Sequence, residues 1–313
     1  MRIYYTENDS LLTAAEPRKG CWIALTDPTE EELHSVSAAS GAPMDMLRAA
    51  LDPEERSRID TADGCVMILV NVPIVTESEK ELYDTVPLAI LLTAESVITV
   101  CSQNSPALRA FAEGHVPGFN TAMKTRFVFQ ILYASASLYL GYLRRIERRS
   151  EAIEEGMRRA ADNRQLFDLL RLQKSLVYFS TSLRANEAVL EKLMRTDAVK
   201  KYPEDAEILE DAIIENRQAM EMTQIYREIV KGTTDTFASV ISNNLNLIMK
   251  TLAIITIVMA IPTIIFSAYG MNVSLASMPL STHPQAFALI ILLALIGSLA
   301  VALVFLLTSR FRK

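Results

Sequence analysis

The order of apolar and polar positions divides the chain into stretches of different character. Over about the first 115 residues, short β-rich runs alternate with helical ones. "RIYY", "CWIAL", "CVMILVNVPIV", "DTVPLAILLT" and "SVITVC" are β-branched or aromatic and bounded by turn residues, which predicts strands. "DPTEEELHSVSAAS" predicts a helix: Asp27 can cap it, Pro28 suits the first turn, and Glu30, Glu31 and Glu32 complement the positive end of the helix dipole. "SPALRAF" predicts a short helix after the last strand. The pattern is that of an α/β or α+β domain, one sheet with helices packed on it.

From residue 121 onward the period changes. Proline disappears except at Pro203 until the apolar C-terminal part, and "TRFVFQILYASASLYLGYLRRIERRSEAIEEGMRRA" has an apolar helical face followed by a charged end. A second helix is predicted over residues 163–196, ended by "KYPED". A third starts at Pro203 to Asp205 and shows no stop; Gly232 weakens it without ending it. Continued to residue 268, it would be about 100 Å long at 1.5 Å per residue. Such a helix needs neighbours, most simply copies of itself.

The apolar end changes the picture most. Residues 251–309 contain no Asp, Glu, Lys or Arg. Two segments reach the roughly 20 apolar residues that cross a bilayer: residues 251–268, extended back through 245–249, and residues 286–307. Lys250 flanks the first; Arg310, Arg312 and Lys313 follow the second; the linking loop has no basic residue. The positive-inside rule therefore predicts a membrane hairpin with both termini cytoplasmic, in the cell membrane. The expected division is a cytoplasmic α/β domain over 1–118, a helical stalk over 119–249 and a membrane domain over 250–313. Within the last, the spans lie at about 248–269 and 286–308, with an outer loop over 270–285 between them. Residues 1–250 hold all 37 acids against 28 basic residues, a formal −9, which disfavours nucleic acid and suits divalent cations. Cys21, Cys65 and Cys101 lie far apart without ligand spacing and read as reduced, buried thiols. "MRIYYTENDS" has no apolar stretch of the kind a signal peptide carries.

The two spans differ chemically. The second is almost purely aliphatic, with the small residues Gly297 and Ser298, which suit a close helix contact. In the first, Thr256, Ala260, Thr263 and Ser267 are spaced 4, 3 and 4 apart and share one face. That face extends down to Leu252, Met249 and Asn246, and up towards Met271 and Asn272. Two readings stand: hydroxyls satisfied by their own backbone or the next helix, or the lining of a water-filled pore. Two spans cannot enclose a pore, so the second reading requires an oligomer with the first span innermost. Pro262 lies within the stripe, as a packing kink or a hinge.

"YGMN" at Tyr269, Gly270, Met271 and Asn272 closes the first of two C-terminal membrane helices after a very long helix. In that context it resembles the signature of the CorA family of magnesium channels. "YREIVKGTTDTFASVISNNLNLIMKTL", "CWIALTDPTEEEL" and "VPLAILLTAESVITV" resemble the family's stalk and cytoplasmic strands, so the resemblance covers nearly the whole chain. It implies a homopentamer: a cytoplasmic α/β domain, a funnel of long helices, an inner ring of first spans and an outer ring of second spans in membrane lipid. It implies Mg²⁺ as the conducted ion, with Asn272 as an amide ring at the outer mouth, Gly270 and Met271 shaping that ring, and Tyr269 anchoring the helix end. Asn246, Met249 and Leu252 match the lower constriction. Asp211, with Glu215 one turn on, matches the position that senses cytoplasmic divalent ions, partnered by Glu77, Glu79 or Glu81 of a neighbouring copy.

One departure bears on the choice of ion. The outer loop "VSLASMPLSTHPQ" is neutral except for His283, where the family's magnesium importers carry acids. A Zn²⁺, Co²⁺ or Ni²⁺ transporter of the same fold, like the ZntB branch, therefore stays open, as does a membrane-anchored sensor. His283 reads as a solvated loop histidine or a soft-metal contact. No phosphate-binding loop, nucleophile elbow or metal-ligand cluster occurs in the sequence, so no enzyme is expected.

Overall fold

The computed structural model describes residues 1–7, 10–76, 82–159, 163–196, 199, 202–272, 279–280 and 283–310. The chain divides into two compact units, Met1–Asp235 and Thr236–Lys313.

In the first unit, among the described residues, seven strands form one mixed sheet: β1 (Arg2–Glu7), β2 (Ser10–Ala14), β3 (Cys21–Thr26), β4 (Arg58–Ala62), β5 (Cys65–Val75), β6 (Tyr83–Leu92) and β7 (Ser96–Cys101). Their order is β2-β1-β3-β7-β6-β5-β4. The β3–β7 pair is parallel, with Trp22 beside Val97, and the other pairs are antiparallel. All five sequence-predicted strands form; β2 and β4, short edge strands, were not predicted.

The sheet is apolar on both faces because both are covered. Alternate residues of β3 enter different cores, Trp22 one and Ile23 the other, and β5 splits Ile68 and Val70 from Met67 and Leu69 in the same way. Helices α1 (Glu30–Ser40) and α2 (Met44–Ala49) close one face. Thr29, rather than Asp27, caps α1: its side chain accepts from the Glu32 N–H while Glu32 reaches back to the Thr29 N–H. Asp27 instead takes a positive φ of 47° just after β3, a conformation Asp tolerates better than most residues. Gly41 ends α1 at φ 71°, the left-handed conformation that favours glycine.

Helices α3 (Pro106–Ala112), α4 (Lys124–Arg159) and α5 (Asn163–Arg195) pack on the other face, joined by the start of α6 (Pro203–Tyr269). Trp22 is fully buried there, edge-on to Phe127 and stacked on Tyr4, with its indole N–H donating to Thr99. α5 is also held by polar bonds. Pairing between β4 and β5 ends at Leu69, and Asn71 turns its free N–H and C=O to the Asn186 amide, at 2.8 and 2.7 Å. Tyr139 on α4 adds a bond to the same carbonyl, and Ser175 accepts from the Tyr83 N–H. α6 docks on α5 through Asn216, which donates to the Leu183 carbonyl, and through Arg217, which pairs with Glu187 and Glu191.

The second unit holds the C-terminal part of α6 and helix α7 (Ala286–Arg310). α6 runs unbroken through Gly232 and contains Pro262. Both helices are long and apolar enough to cross a membrane, and within this chain almost none of their apolar segments is buried.

Candidate functional site

The polar stripe of α6 lies opposite the side that meets α7. Two contacts fix the α7-facing side: Ser298 donates to the Val258 carbonyl at 3.2 Å, and Gly297 lies against Ile261. At 3.6 residues per turn, Met249, Leu252, Thr256, Ala260, Thr263 and Ser267 all fall within about 50° of the direction opposite the midpoint of Val258 and Ile261, and Asn246 lies on the flank, about 90° from it. All are exposed except Ala260, which is partly covered. Among the described residues nothing covers most of this face.

The hydroxyls are not idle on it. Thr256 donates to the Leu252 carbonyl at 2.9 Å and Thr263 to Met259 at 3.0 Å, as Thr251 does to Leu247. This is the local backbone bonding that one sequence reading expected. It does not oppose the other reading. A threonine whose proton is committed to its own helix presents only lone pairs outward, and lone pairs accept from water.

The helix ends at the first residue of the motif. Tyr269 is its last residue, and the N–H groups of Gly270 and Met271 bond back to the last turn, at 2.9 Å to Phe266 and 3.4 Å to Ala268. The helical face therefore does not extend to Met271 and Asn272, which follow the end of the helix. Gly270 needs no special backbone either: it is not among the positive-φ glycines, and an added Cβ would sit at ordinary distances, 3.4 Å from the Phe266 oxygen and 3.5 Å from the Ser267 oxygen. Within one chain, then, the expected backbone turn at Gly270 is not what requires glycine. Tyr269 donates its hydroxyl to the Pro279 carbonyl at 2.9 Å, tying the returning loop to the helix end. His283 is exposed, and its Nδ1 accepts from the Gln285 N–H at 3.2 Å, which occupies that nitrogen at the start of α7.

In the first unit Asp211 is exposed and Glu215 half-buried on α6, and neither carboxylate forms an ion pair among the described residues. Ile214, Ile225 and Ile229 are exposed on the same helix and share a sector of about 60° at 3.6 residues per turn. Asp211 lies 18 residues, five full turns, before Ile229 and so sits on that sector. Glu77, Glu79 and Glu81 lie outside the described residues. Among those described, no group of three His, Cys, Asp or Glu is placed to hold a metal ion. The three thiols are buried, which pushes Cys65 and Cys101 up to about 11 and raises Cys21.

The sequence profile described as "CorA-like Mg2+ transporter protein" matches residues 18–312. The chain belongs to the CorA family. Over 284 residues it is 30% identical to the cobalt/magnesium transport protein CorA of Methanocaldococcus jannaschii, covering 88% of this chain and 86% of that one. The CorA protein of the same name from Thermotoga maritima is 22% identical over 271 residues, 85% of this chain and 77% of that one. The solved structure of the M. jannaschii CorA magnesium transporter superposes with a TM-score of 0.80 at 26% identity, covering 97% of this chain and 96% of that one. The CorA fold is thus present from the sheet through α7: a soluble N-terminal α/β domain, a long helix and two candidate membrane helices. Its family is one of transporters.

Proposed function

We propose that this CorA-family protein is a passive Mg²⁺ channel that works as a homopentamer in the cell membrane, with both termini cytoplasmic. On this reading the chain has three parts: the α/β domain to residue 118, the stalk over 119–249 and the membrane domain from 250. The observation that carries the reading is the opposition of faces on α6. One side is engaged by α7; the other, with its acceptor hydroxyls, is left bare. Five copies with α6 innermost and α7 outermost would turn that bare side towards a common axis and leave α7 to the lipid. The exposed isoleucines on the stalk part of α6 would be covered by the same association.

Mg²⁺ gives up its water reluctantly. Asn272, just past the helix end, supplies a neutral carbonyl oxygen that accepts from the hydration shell without stripping it, and Thr256 and Thr263 do the same below. A pore without carboxylates avoids holding the ion too tightly to release it. Gly270 contributes by leaving space between neighbouring copies, and Met271 packs around the ring. Asn246, Met249 and Leu252 form the lower constriction. Asp211, on the sector that a neighbouring copy would cover, and Glu215 bind cytoplasmic Mg²⁺ between subunits and hold the channel closed when that ion is abundant.

The test is flux into proteoliposomes with a panel of Mg²⁺, Co²⁺, Ni²⁺ and Zn²⁺. Mg²⁺ flux in the native protein that falls on Asn272→Ala is the expected result. A preference for Zn²⁺ would move the protein to the ZntB-like reading, which the neutral outer loop favours. Absence of flux for every ion would leave a membrane-anchored sensor.

A further inference from the structure

Pro262 has no N–H, so the carbonyl of Val258, four residues earlier, loses its helical partner. In hydrocarbon an unpaired carbonyl is costly and must be satisfied by a neighbour. The neighbour is Ser298 of α7, whose hydroxyl donates to the Val258 oxygen at 3.2 Å. The threonines of α6 at 251, 256 and 263 bond carbonyls of their own helix; Ser298 reaches across to another. The residue before it makes the approach possible. A Cβ on Gly297 would lie 3.2 Å from Ile261 Cγ2, tighter than most real contacts, and Ile261 adjoins Pro262.

We infer that Ser298 is a positioning residue: it replaces the hydrogen bond that Pro262 removes and thereby fixes α6 against α7 at the point where its own ladder lacks a bond. The segment above the missing bond, residues 263–269, leads directly into Gly270, Met271 and Asn272. Its direction is then set by a joint held from outside the pore rather than by a free hinge. The inference rests on the pore reading for its effect on transport, while the bond itself does not depend on that reading.

A double-mutant cycle tests it on the full chain. Mg²⁺ uptake is measured in proteoliposomes for the native protein, Ser298→Ala, Ser298→Thr, Pro262→Ala and the Pro262→Ala/Ser298→Ala pair. Ser298→Ala is expected to lower uptake about threefold, the usual weight of one interhelical hydrogen bond in a membrane. Ser298→Thr, which keeps the hydroxyl, should restore it. With Pro262→Ala the helix regains its N–H to the Val258 carbonyl, so removing Ser298 should then change nothing further. An equal loss in both backgrounds, no loss in either, or failure of threonine to restore uptake would overturn the inference. The same cycle, read as thermal stability of the detergent-solubilised protein, decides the matter where uptake is abolished. A native protein that conducts nothing would end the pore reading, and the thermal cycle would still show whether Ser298 matters only in the presence of Pro262.

Discussion

The membrane part of α6 and α7 are both apolar helices, yet they are built differently. α7 is apolar on all sides along its middle, and Gly297 and Ser298, the small residues there, meet α6. α6 has two distinct sides, one engaged by α7 and one carrying hydroxyls, small residues and, lower down, Leu252 and Met249. Length and hydropathy make both of them spans. The placement of the few polar groups separates their roles: in lipid a polar side chain is kept where it finds a partner or lines water. For α7 the partner is a carbonyl freed by proline. For α6 the outward lone pairs have no protein partner among the described residues.

That contrast can be broken or sharpened by substitution. Asn272→Ala should have the largest effect, lowering Mg²⁺ flux by about tenfold or more, because on the proposed reading the amide oxygens at the mouth accept from the ion's hydration shell and hold the hydrated ion where it enters. Thermal stability should stay near native, and a parallel fall in both would mean a structural role instead. Next, Gly297→Leu should destabilise the assembly by about 1–3 kcal/mol, since the added side chain meets Ile261; denaturant titration in detergent measures it, and an unchanged midpoint would refute the close contact. A smaller effect is expected for Asp211→Ala with Glu215→Ala: severalfold more internal Mg²⁺ for half-inhibition, with uninhibited flux unchanged. Undiminished inhibition would move the sensor elsewhere. The smallest effect belongs to Leu299→Ile, at an α7 position 71% exposed in the single chain. It should change stability by no more than about 0.5 kcal/mol and leave flux unaltered. A marked loss of flux there would bring α7 into the conduction pathway.

The elements readable from sequence are those with enough residues to show a period. The five longer or more apolar strands, the long helices and both spans meet that condition. Strand β4, "RIDTA", buries only Ile59, and β2, "SLLTA", buries none of its residues fully, so neither shows the alternation of a half-buried strand. α2 has six residues, fewer than two turns. Thr29 took the cap that Asp27 seemed suited to because it lies three residues before Glu32, the spacing of a capping box. In the candidate site, the hydroxyl stripe was legible as a spacing, and Pro262 and Ser298 were each conspicuous alone. Their connection was not, because Val258 and Ser298 are 40 residues apart in sequence and only the packing of α7 on α6 joins them. The reason for Gly270 was also hidden. Local backbone geometry does not require it.

The central claim is that the side of α6 opposite α7 faces water in the assembled protein. It is tested most directly by placing a cysteine at Thr263 and, separately, at Leu299, and treating the reconstituted protein with a membrane-impermeant thiol reagent during Mg²⁺ flux. The native thiols, Cys21, Cys65 and Cys101, are buried and leave a low background. Modification of Thr263→Cys with progressive loss of flux, and none at Leu299→Cys, is the predicted result. Protection of Thr263→Cys together with labelling of Leu299→Cys would place the water on the other helix and contradict the account.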